Sequence, residues 1–171
     1  MRDAVRQLRS RLAAYAVDIA VLAAVLVPLA FALQAVTGFR PTTGVGVWLA
    51  SVLMISVPSW TYFTVSDASA SGATLGKRLL GIAVVASDGA PRVGAGRAVV
   101  RTAVKLAPWE LTHLTMFALS PALGTFSALQ IALLWIVYAL LAIYLAVALR
   151  NRGERSVHDI VAGTAVRPRR A

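Results

Sequence analysis

Three long apolar runs dominate the chain, about Leu12 to Val36, Val45 to Val65 and Leu129 to Leu149. Each holds roughly the 20 residues an α-helix needs to cross a hydrocarbon core about 30 Å thick. A fourth run, about Leu106 to Phe126, is apolar but carries Glu110 and His113, with Pro108 and Pro121 inside it. The longest polar stretches are a loop over residues 66–105 and a tail over residues 150–171. Neither is long enough to build a second core. The pattern therefore predicts one all-α integral membrane domain over residues 1–171, with hydropathy leaving the fourth run undecided.

Charge decides it. Every Lys and Arg but Arg40 falls in the N-terminal segment, in the loop before the fourth run, or in the tail. If residues 106–126 cross, all three clusters face the cytoplasm and Arg40 faces out, as the positive-inside rule requires. If they do not cross, the tail cluster ends up outside. The expected topology is a bundle of about four transmembrane helices over residues 12–36, 45–65, 106–126 and 129–149, with both termini cytoplasmic. The Gly- and Pro-containing stretches TGFRPTTG (Thr37 to Gly44) and SPALGT (Ser120 to Thr125) fall where the two outside turns would lie. The basic N-terminus precedes an apolar run about twice the length of a signal-peptide core, without a convincing cleavage site, so it reads as a retained span. Trp48, Trp60 and Tyr62 bracket the second span as interfacial anchors would, although Trp60 and Tyr62 also suit simple packing.

The cytoplasmic loop has its own organisation. SDASASG (Ser66 to Gly72) has the composition of a flexible linker. LLGIAVVASDGAPRV (Leu79 to Val93) predicts a short extended run ending in a turn at Ser87 to Pro91. Beyond it Arg97, Arg101 and Lys105 recur every four residues and so share one helix face. The loop is thus expected to be a basic hairpin with an amphipathic helix at the interface, its cations directed at anionic headgroups of the bilayer. Positive-inside bias with snorkelling side chains explains the same spacing.

Composition narrows the chemistry. The chain has 171 residues, 58% hydrophobic and 14% charged, with no cysteine, which excludes disulfides, thiolate catalysis and cysteine-ligated metals. The net charge of +10 would suggest nucleic acid in a soluble protein, but here the membrane topology accounts for it, and no nucleic-acid partner is expected. Glu110 and His113 have the Glu-x-x-His spacing of half a di-iron carboxylate site. A full site needs a second such pair, and the only other histidine, His158, has no acid at that spacing. No metal and no cofactor are expected, and without a nucleophile–base set the chain does not read as an enzyme.

Three stretches in the right order carry a resemblance. RLAAYAVDIAVL (Arg11 to Leu22), GATLGKRLLGIAVVASDGAPR (Gly72 to Arg92) and RSVHDIVAGTAV (Arg155 to Val166) resemble the RDD family of bacterial membrane proteins, named for one arginine and two aspartates. The resemblance places Arg11, Asp18 and Asp159 in the family's three positions and implies a multi-pass protein of a bacterial plasma membrane. Many family members are described with three predicted spans, against the four argued here. For some, sodium/proton antiport has been proposed.

Asp18 lies inside the first span, where a carboxylate is costly and needs a partner. Arg11 is two turns away, about 10 Å along the axis, with Tyr15 between them on the same stripe. Asp18 is therefore expected to meet Arg11, or Arg101 or Lys77 from the loop. Asp159, in a polar context, either folds back toward Arg11 or caps a short helix. Two readings stay open. In one, Asp18 is the ion or proton site of a small transporter, assisted by Glu110 or His113. In the other, Arg11, Asp18 and Asp159 form a structural lock in a non-transporting module that engages lipid, a second copy of the chain or a membrane partner protein.

Overall fold

A computed structural model describes residues 2–119 and 126–169. Helix α1 (Arg2–Thr37) runs unbroken through the first apolar segment. It stops at Gly38, whose φ of +66° gives the left-handed turn that ends a helix and whose N–H returns to the Gln34 carbonyl. Thr43 opens the next rod by accepting the Gly46 N–H on its side chain. That rod is continuous: α2 (Gly44–Ser51), a π-helical turn (Val52–Ser56) and α3 (Val57–Ala68). The π turn abuts Pro58, which has no N–H to donate and so favours such a local rearrangement of the ladder.

The cytoplasmic loop predicted from sequence contains a one-turn helix α4 (Leu75–Leu79), strand β1 (Ile82–Ala86) and the start of helix α5 (Ala95–His113). A second π turn, Leu114–Ala118, extends α5. Helix α6 (Ala128–Arg150) begins with a reciprocal Ser127–Gln130 capping box. The tail then folds into α7 (Val157–Val161) and strand β2 (Thr164–Pro168). β2 pairs antiparallel with β1, Val84 opposite Val166. The extended run in the loop is thus a strand, and the all-α expectation is corrected by a two-stranded sheet whose second strand comes from the tail. Ala14, Val84, Ala98 and Val166 pack together between this sheet and helices α1 and α5.

Among the described residues, three helices are long and apolar enough to cross a membrane: Ala4–Thr37, Gly44–Ala68 and Ala128–Arg150. The expected run over residues 106–126 does not start a helix of its own. Its first half is the C-terminal half of α5, which begins eleven residues earlier and contains Arg97, Arg101 and Lys105. The SPALGT turn lies outside the described residues. α5 packs on α3, and its π-helical extension packs on α2. The amphipathic helix and the described first part of the fourth apolar run are therefore one element, with Arg101 kept inside the protein by pairing.

Candidate functional site: a buried ladder of charge

Five side chains from five helices form a continuous chain of ion pairs where the loop and tail meet the bundle. Arg11 of α1 donates through Nη2 to Asp159 Oδ2 at 2.5 Å and through Nη1 to the Gly153 carbonyl at 3.0 Å. Asp159 sits in the first turn of α7, where Oδ2 also accepts the Ser156 N–H at 2.9 Å and closes a capping box. Its other oxygen takes Arg101 Nε of α5 at 3.0 Å. Arg101 Nη1 reaches Asp67 Oδ2 in the last turn of α3, and Lys77 Nζ of α4 donates to Asp67 Oδ1 at 2.5 Å. The order is Arg11, Asp159, Arg101, Asp67, Lys77, with charges alternating in sign. Asp67 and Asp159 are fully buried, and the Arg101 side chain is 2% exposed. A guanidinium is suited to the middle rung because its planar fork serves two carboxylates in fixed directions.

The electrostatics follow from that arrangement. Burial works against every charge here, but the Asp67 and Asp159 carboxylates outweigh it for Arg101 and raise its pKa. For Asp159, burial likewise opposes ionisation, and the Arg101 and Arg11 guanidiniums overcome it, holding the carboxyl well below the usual range. His158 packs beside them, with Nε2 3.2 Å from Arg11 Nη2 and 3.3 Å from Asp159 Oδ2. Burial, helped by Arg101 and Arg11, pushes its pKa well below 6.5 and keeps the ring neutral.

Asp18 is held differently from expectation. Neither Arg11, Arg101 nor Lys77 meets it. Its Oδ1 accepts the Tyr62 hydroxyl at 2.7 Å and the Gly76 N–H at 2.8 Å, and its Oδ2 accepts the Thr74 hydroxyl at 2.7 Å. Thr74 also caps α4 through the Lys77 N–H. Asp18 thus fastens the loop's short helix to α1 through neutral donors. Gly76 makes this approach feasible: a Cβ there would lie 2.0 Å from the Ala14 carbonyl oxygen. Tyr15, between Arg11 and Asp18 on the same stripe, packs its ring against Phe63.

The remaining candidates separate. The expectation that Arg97, Arg101 and Lys105 share one outward face is corrected: the three side chains go to different surroundings. Arg101 is buried in the ladder, and Lys105 turns inward with Nζ over the rings of Phe63 and Tyr15, 3.3 and 4.5 Å from their centroids. Only Arg97 is exposed, in a two-point pair with Asp88 at 2.7 and 2.9 Å. Glu110 and His113 do not pair with each other or with Asp18. Glu110 accepts from Ser56 Oγ at 2.9 Å and Trp60 Nε1 at 3.1 Å, while His113 packs between Trp109 and Phe117. Trp60 and Tyr62 therefore turn their polar atoms onto carboxylates inside the protein, whatever anchoring they add. Among the described residues, no three His, Cys, Asp or Glu side chains gather as a metal site would require.

Sequence reasoning missed Asp67, the carboxylate that completes the ladder, because it stands in a stretch with linker composition. One signal was available. With 7 acids against 17 basic residues, an acid at the end of a span beside a basic loop is a natural partner for a cation that must be buried.

The model of the RDD family matches residues 5–163, nearly the whole chain, and the match takes in Arg11, Asp18 and Asp159. No curated protein and no solved structure gives a match.

Proposed function

The chain belongs to the RDD family, and from that footing we propose that it is a non-transporting module of a bacterial plasma membrane whose ladder locks the loop and tail onto the bundle. The observation that carries this reading is Arg101, buried between two buried carboxylates from α3 and α7. Removing one partner from such a set typically costs about 3–5 kcal/mol, so the ladder resists the rearrangement that alternating access demands. The rigid base would present a fixed cytoplasmic surface to a membrane partner or a second copy of the chain.

The topology we propose has four crossings with both termini cytoplasmic. It is supported by the way α5 runs beside the second rod. Arg101 meets Asp67 near one end, Glu110 meets Ser56 and Trp60 midway, and the π turn after His113 packs on α2. A helix that follows a span-length rod in reverse order over such a distance, about 25 Å at 1.5 Å per residue, traverses the same depth. The placement of Lys and Arg supports it too.

A transport reading has one observation in its favour. Asp18 lines a cavity of about 210 Å³ and has no cationic partner among the described residues. Proteoliposomes carrying a pH-sensitive dye and an imposed sodium or potassium gradient separate the two. The lock predicts no flux above protein-free vesicles. Flux that Asp18→Asn abolishes, in a variant that inserts normally, would overturn it in favour of transport.

A further inference from the structure

The same cavity has an asymmetric lining that the lock does not explain. Four cations face it, Arg11, Lys77, Arg101 and Lys105, against a single carboxylate, Asp18. The carboxylates that neutralise the ladder, Asp67 and Asp159, lie behind this surface and do not line it. Over all seven groups the cations outnumber the carboxylates four to three, and Lys105 is the one cation of the four that makes no hydrogen bond or ion pair among the described residues, resting on aromatic faces.

Another part of the wall is apolar. Leu12 of α1 with Leu141 and Leu145 of α6 border the cavity, and all three are exposed on the outer surface of membrane-spanning helices, at 54%, 48% and 43%. Leu12 stands where the first apolar run begins and Leu145 in the second-last turn of α6, with Leu141 one turn deeper, so the wall runs from the polar end of the bundle into its apolar length. A ligand that suits both walls has an anionic head and a hydrocarbon tail attached to it. A small aqueous anion would satisfy the cations but leave the leucine wall unused.

The geometry points to a site for one anionic phospholipid, its phosphate taken by Lys105 at the floor of the cavity and its acyl chains leaving between α1 and α6 past Leu12, Leu141 and Leu145. The site goes beyond the lock, since Lys105 makes none of the ladder's ion pairs, and the two fail separately: loss of lipid selectivity leaves the Arg101 stability predictions untouched.

The test is native mass spectrometry of the full chain in mild detergent, titrated with phosphatidylglycerol and with phosphatidylcholine of the same acyl chains. One phosphatidylglycerol should be retained per chain, with about tenfold preference over phosphatidylcholine, the size of one charge-assisted contact. Lys105→Gln should bring the preference close to one, and Lys105→Arg should keep most of it. Leu145→Trp, which blocks the mouth and changes no charge, should weaken retention of both lipids. Arg97→Gln removes the same charge from the exposed surface and should leave the preference intact. Inorganic phosphate in large excess should not displace the lipid. The site is refuted if the wild-type chain shows no preference, if Lys105→Gln keeps it, if Arg97→Gln lowers it equally, or if phosphate displaces the lipid.

Discussion

Replacing Arg101 by Gln tests the ladder at its middle rung. The change keeps a polar side chain of comparable length but removes the charge and the fork. Two charge-assisted hydrogen bonds are lost, to Asp159 Oδ1 and Asp67 Oδ2. Each is worth about 1.5–3 kcal/mol. The loss is moderated because Asp67 keeps Lys77 and Asp159 keeps Arg11. A net destabilisation of about 3–5 kcal/mol follows, as for other buried pairs broken on one side. For a chain of this size that corresponds to a fall in Tm on the order of 10 °C. Arg101→Lys restores the charge without the planar fork and should recover less than half of the loss. The assay is thermal unfolding of the detergent-solubilised protein, followed by loss of monodispersity and by tryptophan fluorescence. A Gln variant within about 1 kcal/mol of wild type, or full recovery by Lys, would refute the reasoning, because either result means that Arg101 is not holding two carboxylates.

Three further outcomes follow from the same geometry. His158 is neutral when folded and has a depressed pKa, so the unfolded chain binds the extra proton; stability should decline as pH drops below about 6.5, and His158→Gln should flatten that part of a Tm–pH curve. Asp159 adds a separate acid limb: its folded pKa is also depressed, so its contribution is complete above about pH 4 and is lost only below it, a limb that Asp159→Asn should remove. Gly76→Ala should abolish a monodisperse product in size-exclusion chromatography, because the added methyl meets the Ala14 carbonyl and displaces α4 from Asp18. Arg97→Gln should leave Tm unchanged, since its pair with Asp88 is exposed to water.

The spans were legible in the sequence because a lipid-crossing helix reports its surroundings through composition alone. Twenty apolar residues in a row read the same whatever they pack against. The strand at Ile82–Ala86 was legible as an extended run for a similar local reason. Its partner, Thr164–Pro168, was not, since that pairing is fixed by a contact some eighty residues away. Periodicity put Arg97, Arg101 and Lys105 on one face of a helix but could not say where the face points. The answer came from Asp67 and Asp159, delivered by two other elements. Arg11, Asp18 and Asp159 stood out through the family resemblance, yet Asp18 belongs to a separate node with Tyr62, Thr74 and Gly76. Neutral donors of that kind leave no charge pattern to read.

The most direct measurement of the lock is a double-mutant cycle on Arg11→Gln and Asp159→Asn, residues 148 apart in sequence and 2.5 Å apart in space. If the tail is fastened to α1 by this pair, the double variant should be more stable than the sum of the single losses implies, by about 1–3 kcal/mol. Additive losses, within about 0.5 kcal/mol, would contradict the account.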